Sequence, residues 1–189
     1  MPSLDETFAE LQTRLVDPDL LNPTQADPFF YFVHDPRDTL AVKQKLGYWT
    51  AALEKDRWTV ERISLSRVLW ELVDASGRWE EWLSCEADAD QAALNEAIRG
   101  VLRDESAMAR ALEPHLAARR ERTVVFLTDA VCLHPYFRAR ALESALQNRV
   151  HVPTVLFYPG RRSGPFGLHF LGFYPLDGNY RATLIGGVK

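Results

Sequence analysis

The start of the chain has the spacing of apolar and polar residues that is typical of an amphipathic helix. Leu4, Phe8 and Leu11 recur every three or four positions, which places them on one helical face. Ser3 and Glu6 have the spacing of a capping box, in which each side chain satisfies a backbone N–H of the first turn. The pattern predicts a helix that begins near residue 4.

Four later segments, rich in β-branched and aromatic residues, are predicted strands. They lie at residues 29–34, 58–65, 122–128 and 154–158. Segments with helical periodicity follow at residues 39–55, after Ser66, at 79–118 and at 137–148. Ser66 is expected to cap its helix and Pro114 to start a new helical turn. This alternation predicts a mostly parallel sheet with helices on both faces.

The C-terminal region carries a turn signal between two extended runs. Asp177-Gly178-Asn179 separates residues 168–174 from residues 180–186, which predicts an antiparallel hairpin. The expected fold is therefore a single three-layer α/β domain over residues 1–189, with a mostly parallel sheet and a C-terminal antiparallel hairpin. Residues 79–118 are expected to form a helical insertion within it.

The loop after the first predicted strand is where a P-loop protein binds phosphate, through glycine N–H groups and a lysine. Residues 34–39 contain no glycine, and the dipeptide Gly-Lys occurs nowhere in the sequence. P-loop hydrolysis is therefore not expected, and any P-loop-like fold would be a degenerate one without a phosphate loop. Asp129 follows the third strand, as the magnesium-holding acid of such enzymes does, but a turn or helix-cap role is favoured for it.

Charge is distributed unevenly along the chain, whose formal net charge is −4. Residues 1–118 contain 12 basic and 22 acidic residues, whereas residues 119–162 contain eight arginines, three acids and no lysine. Arginine suits bidentate recognition of carboxylate or phosphate. A binding face and a set of merely solvated arginines explain this segment about equally well.

The remaining composition points to a soluble, cytoplasmic protein without a membrane contact. No apolar run approaches the ~20 residues that span a bilayer. Cys85 and Cys132 are too few for a disulfide framework.

The sequence contains no recognisable catalytic motif, and neither a metal site nor a cofactor is predicted. Cys132 and His134 would act as nucleophile and base only if their loop curled suitably, and no oxyanion-hole motif accompanies them. The histidines and cysteines lack the spacing of a zinc site.

Several short motifs in fixed order resemble the BrxB family, the small component of bacteriophage exclusion (BREX) defence systems. The resemblance extends over about residues 4–185 and includes Ile63-Ser64-Leu65 before a helix. Its other motifs are Asp35-Pro36, Pro135-Tyr136-Phe137-Arg138, Phe157-Tyr158-Pro159-Gly160 and Tyr180-Arg181.

This resemblance implies a subunit without visible enzymatic activity, which works with a large ATPase, a DNA methyltransferase and a PglZ-type protein. An adaptor role is implied, with the PglZ-type protein as the most favoured direct partner. Any DNA contact is expected to be weak or indirect, because the eight arginines of residues 119–162 are offset by an acidic remainder and no groove-reading motif is present. The candidate partner-binding residues are Arg138, Arg140, Arg161 and Arg162.

Two other functions stay open at this stage. One is a nucleotide- or nucleic-acid-binding protein that uses the arginines of residues 119–162 at the strand ends. The other is an enzyme of unfamiliar chemistry near Asp129, Cys132 and His134.

Overall fold

The computed structural model describes residues 2–17, 27–85, 90–102, 104–164, 167–178 and 182–187. Within them a central sheet is covered by helices on both faces. The helices are α1 (Leu4–Leu15), α2 (Thr39–Lys55), α3 (Leu65–Ala75), α4 (Trp79–Cys85), α5 (Gln91–Val101), α6 (Glu105–Leu116) and α7 (Ala139–Leu146). The strands are β1 (Phe29–His34), β2 (Thr59–Ser64), β3 (Thr123–Thr128), β4 (Thr154–Ser163), β5 (Gly167–Phe170) and β6 (Thr183–Gly186).

The sheet confirms the predicted α/β class. Five strands are parallel to their neighbours in the order β2-β3-β4-β1-β6, and β5 adds to β4 in the antiparallel direction. Parallel strands end at the same edge of a sheet, so the residues after β1, β2 and β3 meet there. The P-loop-like part of the expectation stays a prediction, as does the assignment of residues 79–118 as an insertion.

Strand β1 joins two separate hydrophobic cores, because successive side chains in a strand point to opposite faces. Tyr31 and Val33 belong to the core beneath α3, α6 and α7, whereas Phe30 and Phe32 belong to the core beneath α1 and α2. All six residues of β1 are buried, as its continuous apolar sequence predicts.

The prediction that the two C-terminal extended segments pair with each other in a hairpin is wrong. Residues 167–170 pair with an extension of β4 at residues 160–163, and β6 pairs in parallel with β1 instead. The turn signal at residues 177–179 predicted a hairpin between the segments on either side of it. In the structure, the backbone of Asp177 forms an isolated antiparallel bridge to Leu168 instead of beginning a strand. Residues 179–181 lie outside the described part of the chain.

Two details of the helices also differ from expectation. The cap of α3 is Ser64, whose hydroxyl accepts a hydrogen bond from the N–H of Arg67, and Ser66 lies inside the helix. Pro114 lies within α6 rather than at the start of a new turn. The capping box at Ser3 and Glu6 is confirmed. Among the described residues, no helix is long and apolar enough to cross a membrane.

Candidate functional site

A compact polar cluster lies at the carboxyl ends of β2 and β3; we call Lys43, Ser64, Thr128 and Asp129 the strand-end cluster. Asp129 Oδ2 accepts hydrogen bonds from the hydroxyls of Ser64, at 2.7 Å, and Thr128, at 3.2 Å. Its Oδ1 lies 2.9 Å from Nζ of Lys43, which α2 contributes. Asp129 has φ 60°, a left-handed conformation that aspartate tolerates better than most residues.

The ionisation of the strand-end cluster is stabilised from within the protein. Partial burial would raise the pKa of Asp129, but hydrogen bonds from Ser64 and Lys43 outweigh it and lower this pKa. The hydrogen bond between Lys43 and Asp129, together with the negative charge of Asp129, raises the pKa of Lys43. The adjacent cavity has a volume of about 30 Å³, which is enough for about two water molecules.

The loop after β1 contains a buried carboxylate where a P-loop protein would hold phosphate. Asp35 accepts three hydrogen bonds from Arg37, one from its backbone N–H and two from its guanidinium. Arg161 adds an ion pair, with Nη2 3.6 Å from Oδ2. The hydrogen bonds from Arg37 contribute most to holding the pKa of Asp35 well below its ordinary value. Two guanidinium groups therefore neutralise this carboxylate within the protein.

A much larger cavity, of about 620 Å³, lies beside the N-terminus of α7. We call it the motif groove; it is lined by residues 134–141, by Tyr158 and by residues 174–177, among others. It therefore brings together two of the sequence motifs, Pro135-Tyr136-Phe137-Arg138 and the tyrosine of Phe157-Tyr158-Pro159-Gly160. Its volume is in the usual range for ligand pockets.

The polar groups of the motif groove are mostly paired with one another. The hydroxyl of Tyr174 is hydrogen-bonded to the imidazole of His134, and Nε of Arg99 donates to the carbonyl of Pro135 at 3.0 Å. Burial and the charge of Arg99 lower the pKa of His134. Arg140 Nη1 lies 2.7 Å from Oδ1 of Asp177.

Residues of strand β4 line both the motif groove and the small cavity beside the strand-end cluster. Tyr158 lines the groove, whereas its neighbours Phe157 and Pro159 line the small cavity beside Asp129. The next residue, Gly160, has no room for a side chain. A Cβ there would lie 2.5 Å from Cε1 of Tyr158 and 2.6 Å from the carbonyl oxygen of His169. The Phe157-Tyr158-Pro159-Gly160 motif thus packs against both faces of the sheet.

The basic segment of residues 119–162 is largely engaged within the protein. Six of its eight arginines have a partner among the described residues, and only Arg119 and Arg138 have no side-chain hydrogen bond or ion pair there. The pairs are Arg120 with Glu61, Arg122 with the carbonyl of Asp56, Arg140 with Asp177, Arg149 with Glu113, Arg161 with Asp35, and Arg162 with the carbonyl of Gly164.

The four candidate partner-binding arginines therefore do not form one face. Arg138 and Arg140 line the motif groove, but Arg161 turns to Asp35. Arg161 and Arg162 are adjacent in β4, and adjacent strand residues point to opposite faces. Tyr180 and Arg181 lie outside the described residues.

Cys132 and His134 are not arranged as a nucleophile with its base. Cys132 is exposed, and His134 is hydrogen-bonded to Tyr174. In the described part of the chain, no three His, Cys, Asp or Glu side chains are grouped to hold a metal ion. Sequence reasoning missed Lys43, Tyr174 and Asp177, because their partners are distant in sequence and no motif marks them.

Comparison with known proteins identifies the family. A family model described as "BREX protein BrxB" matches residues 61–185, which is more than half of the chain. This range contains both motifs that meet at the motif groove, whereas Asp35-Pro36 precedes it. No curated protein and no solved structure matches the chain. The chain therefore belongs to the BrxB family of BREX proteins and is a component of BREX phage defence.

Proposed function

We propose that this BrxB-family chain is a non-catalytic adaptor of a cytoplasmic BREX assembly, and that it binds a PglZ-type protein of the same system through the motif groove. The observation that carries the proposal is the meeting of two sequence motifs in one open groove. Residues 135–138 and Tyr158 are separated along the chain, yet both line this cavity. The large ATPase and the methyltransferase of the system are proposed as further partners.

The charges of the motif groove indicate what the partner presents. Arg99, Arg138 and Arg140 lie along the groove, and Asp177 is its one acidic lining residue among those described. Arg138 is exposed and has no partner within the described residues. A partner segment with a carboxylate beside an apolar or aromatic side chain would pair with Arg138 and pack against Tyr136 and Leu176.

The strand-end cluster supports a non-catalytic role. Both oxygens of Asp129 are engaged by Lys43, Ser64 and Thr128, and the adjacent cavity has a volume of only about 30 Å³. The nucleic-acid alternative is less favoured, because six of the eight arginines of residues 119–162 are paired internally.

Arg138→Glu tests the proposal, with Arg119→Glu as its matched control. Both arginines are exposed and lack a described partner, but Arg119 precedes β3 at the opposite edge of the sheet from the motif groove. Arg138→Glu is expected to weaken copurification with the PglZ-type protein at least tenfold and to abolish phage defence. Arg119→Glu is expected to leave both unchanged. Equal behaviour of the two variants would contradict the proposal.

A further inference from the structure

Three of the five tryptophans lie close together on the surface formed by α3 and α4. We call Trp70, Trp79 and Trp82 the tryptophan patch. The rings of Trp70 and Trp79 are stacked with centroids 6.2 Å apart, and Trp82 meets Trp79 edge-on at 5.6 Å. Trp70 remains 37% exposed and Trp79 39% exposed, and neighbouring Leu83 is 57% exposed. Exposed clusters of large apolar side chains mark interaction sites, and tryptophan is enriched among residues that dominate binding energy.

The surroundings of the tryptophan patch are acidic. Residues 70–85, which form α3 after Trp70, the turn that follows it and α4, contain four carboxylates and a single arginine. Glu80 and Glu81 are exposed, and neither makes an ion pair with a described residue. Asp74 accepts a hydrogen bond from the indole N–H of Trp79 at 2.6 Å, which holds that ring on the surface. The patch therefore offers aromatic faces beside unpaired negative charge.

This combination selects the kind of partner. A guanidinium or ammonium group is attracted to the face of a tryptophan ring and pairs with nearby carboxylates. Nucleic acids and anionic membranes carry the same sign of charge as the patch, so they are repelled from it. We infer that the tryptophan patch is a second docking surface, and that it binds an arginine- or lysine-bearing segment of another BREX protein.

The patch is a neighbour of the motif groove but has the opposite charge. The ring of Trp70 meets that of Tyr136, a lining residue of the groove, edge-on with centroids 6.2 Å apart. An adaptor with both surfaces contacts an acidic and a basic segment side by side. The inference rests on the proposed function only in taking the partner to be a component of the same system.

The test titrates each separately purified protein of the same BREX system against the wild-type chain and the double variant Glu80→Gln, Glu81→Gln. The matched control is Glu54→Gln, Glu121→Gln, which removes two exposed charges elsewhere. One component is expected to bind about tenfold more weakly to the Glu80, Glu81 variant at low salt, and with a smaller salt dependence. Trp79→Ala should weaken the same complex. Thermal melting of each variant serves as the control for correct folding.

Three outcomes would overturn the inference. It fails if the Glu80, Glu81 variant binds every component as the wild type does, or if the control loses as much affinity. It also fails if light scattering shows that a second copy of the chain covers the patch in a dimer that Trp79→Ala abolishes. If Arg138→Glu weakens binding while the Glu80, Glu81 variant does not, the proposed function stands and only this inference falls. The reverse result retains the inference and removes the motif groove as the partner site.

Discussion

Lys43 and Asp129 form an ion pair across the carboxyl edge of the sheet, with Nζ 2.9 Å from Oδ1. Lys43 belongs to the helix that follows β1, and Asp129 to the turn that follows β3. In a P-loop protein these two places supply a lysine and an acid to a nucleotide and its magnesium. Here the two side chains bind each other, and the cavity beside them has a volume of only about 30 Å³. The ion pair is therefore expected to stabilise the folded protein.

Asp129→Ala should lower the free energy of unfolding by about 2 to 3 kcal/mol. The change removes the acceptor of Ser64 and Thr128, and it places alanine at φ 60°. Asp129→Asn keeps an acceptor oxygen and tolerates this backbone, so a loss of only about 1 kcal/mol is expected. Urea denaturation measures both values. A structural role would be contradicted if both variants were as stable as the wild type.

Stability should fall in acid partly because of Asp35. Hydrogen bonds from Arg37, with the charges of Arg37 and Arg161, lower the pKa of Asp35 in the folded protein, so the unfolded chain binds its proton first as the pH falls. The stability that this carboxylate contributes is complete above its ordinary pKa of about 3.9 and is lost as the pH drops through the folded value.

Asp35→Asn isolates this contribution, because asparagine can still accept from the N–H of Arg37 but does not ionise in this range. Urea midpoints measured from about pH 6 down to about pH 3 should fall less steeply for the variant than for the wild type. Parallel curves would show that Asp35 titrates alike in the folded and unfolded chains.

Two glycine substitutions should have opposite effects on stability. Gly160→Ala forces a Cβ to within 2.6 Å of the backbone oxygen of His169, so a loss of about 1 to 3 kcal/mol is expected. Gly47 lies in α2 with nothing within 4 Å of an added Cβ. Gly47→Ala should therefore stabilise the protein by up to about 1 kcal/mol. Thermal melting of both variants checks this prediction. It would be contradicted if the two substitutions shifted the melting temperature in the same direction.

Binding to duplex DNA should be weak and should vanish near physiological salt. The chain has a net charge of −4, and most arginines of residues 119–162 are already paired within the protein. Few arginines of this segment are therefore left to displace counterions from phosphate. Fluorescence anisotropy at rising salt measures the affinity. Tight binding at about 0.15 M salt, with a steep salt dependence, would favour the nucleic-acid alternative over the adaptor.

The sequence by itself determined the local elements and the family. Strands β1 and β3 were predictable because continuous apolar segments must be buried wherever they pair. The capping box of α1 was predictable because Ser3 and Glu6 interact across one helical turn. Motifs such as Pro135-Tyr136-Phe137-Arg138 indicated the BrxB family, since their recognition needs only the order of residues.

Tertiary structure alone decided which distant residues meet. The pairing of β5 with β4, and of β6 with β1, depends on competition among strand edges, which a local turn signal such as Asp177-Gly178 does not resolve. The ion pair of Lys43 with Asp129 likewise forms because parallel strands end at one edge of the sheet. Contacts between residues far apart in sequence are set by the packing of the whole domain, and no local pattern encodes them.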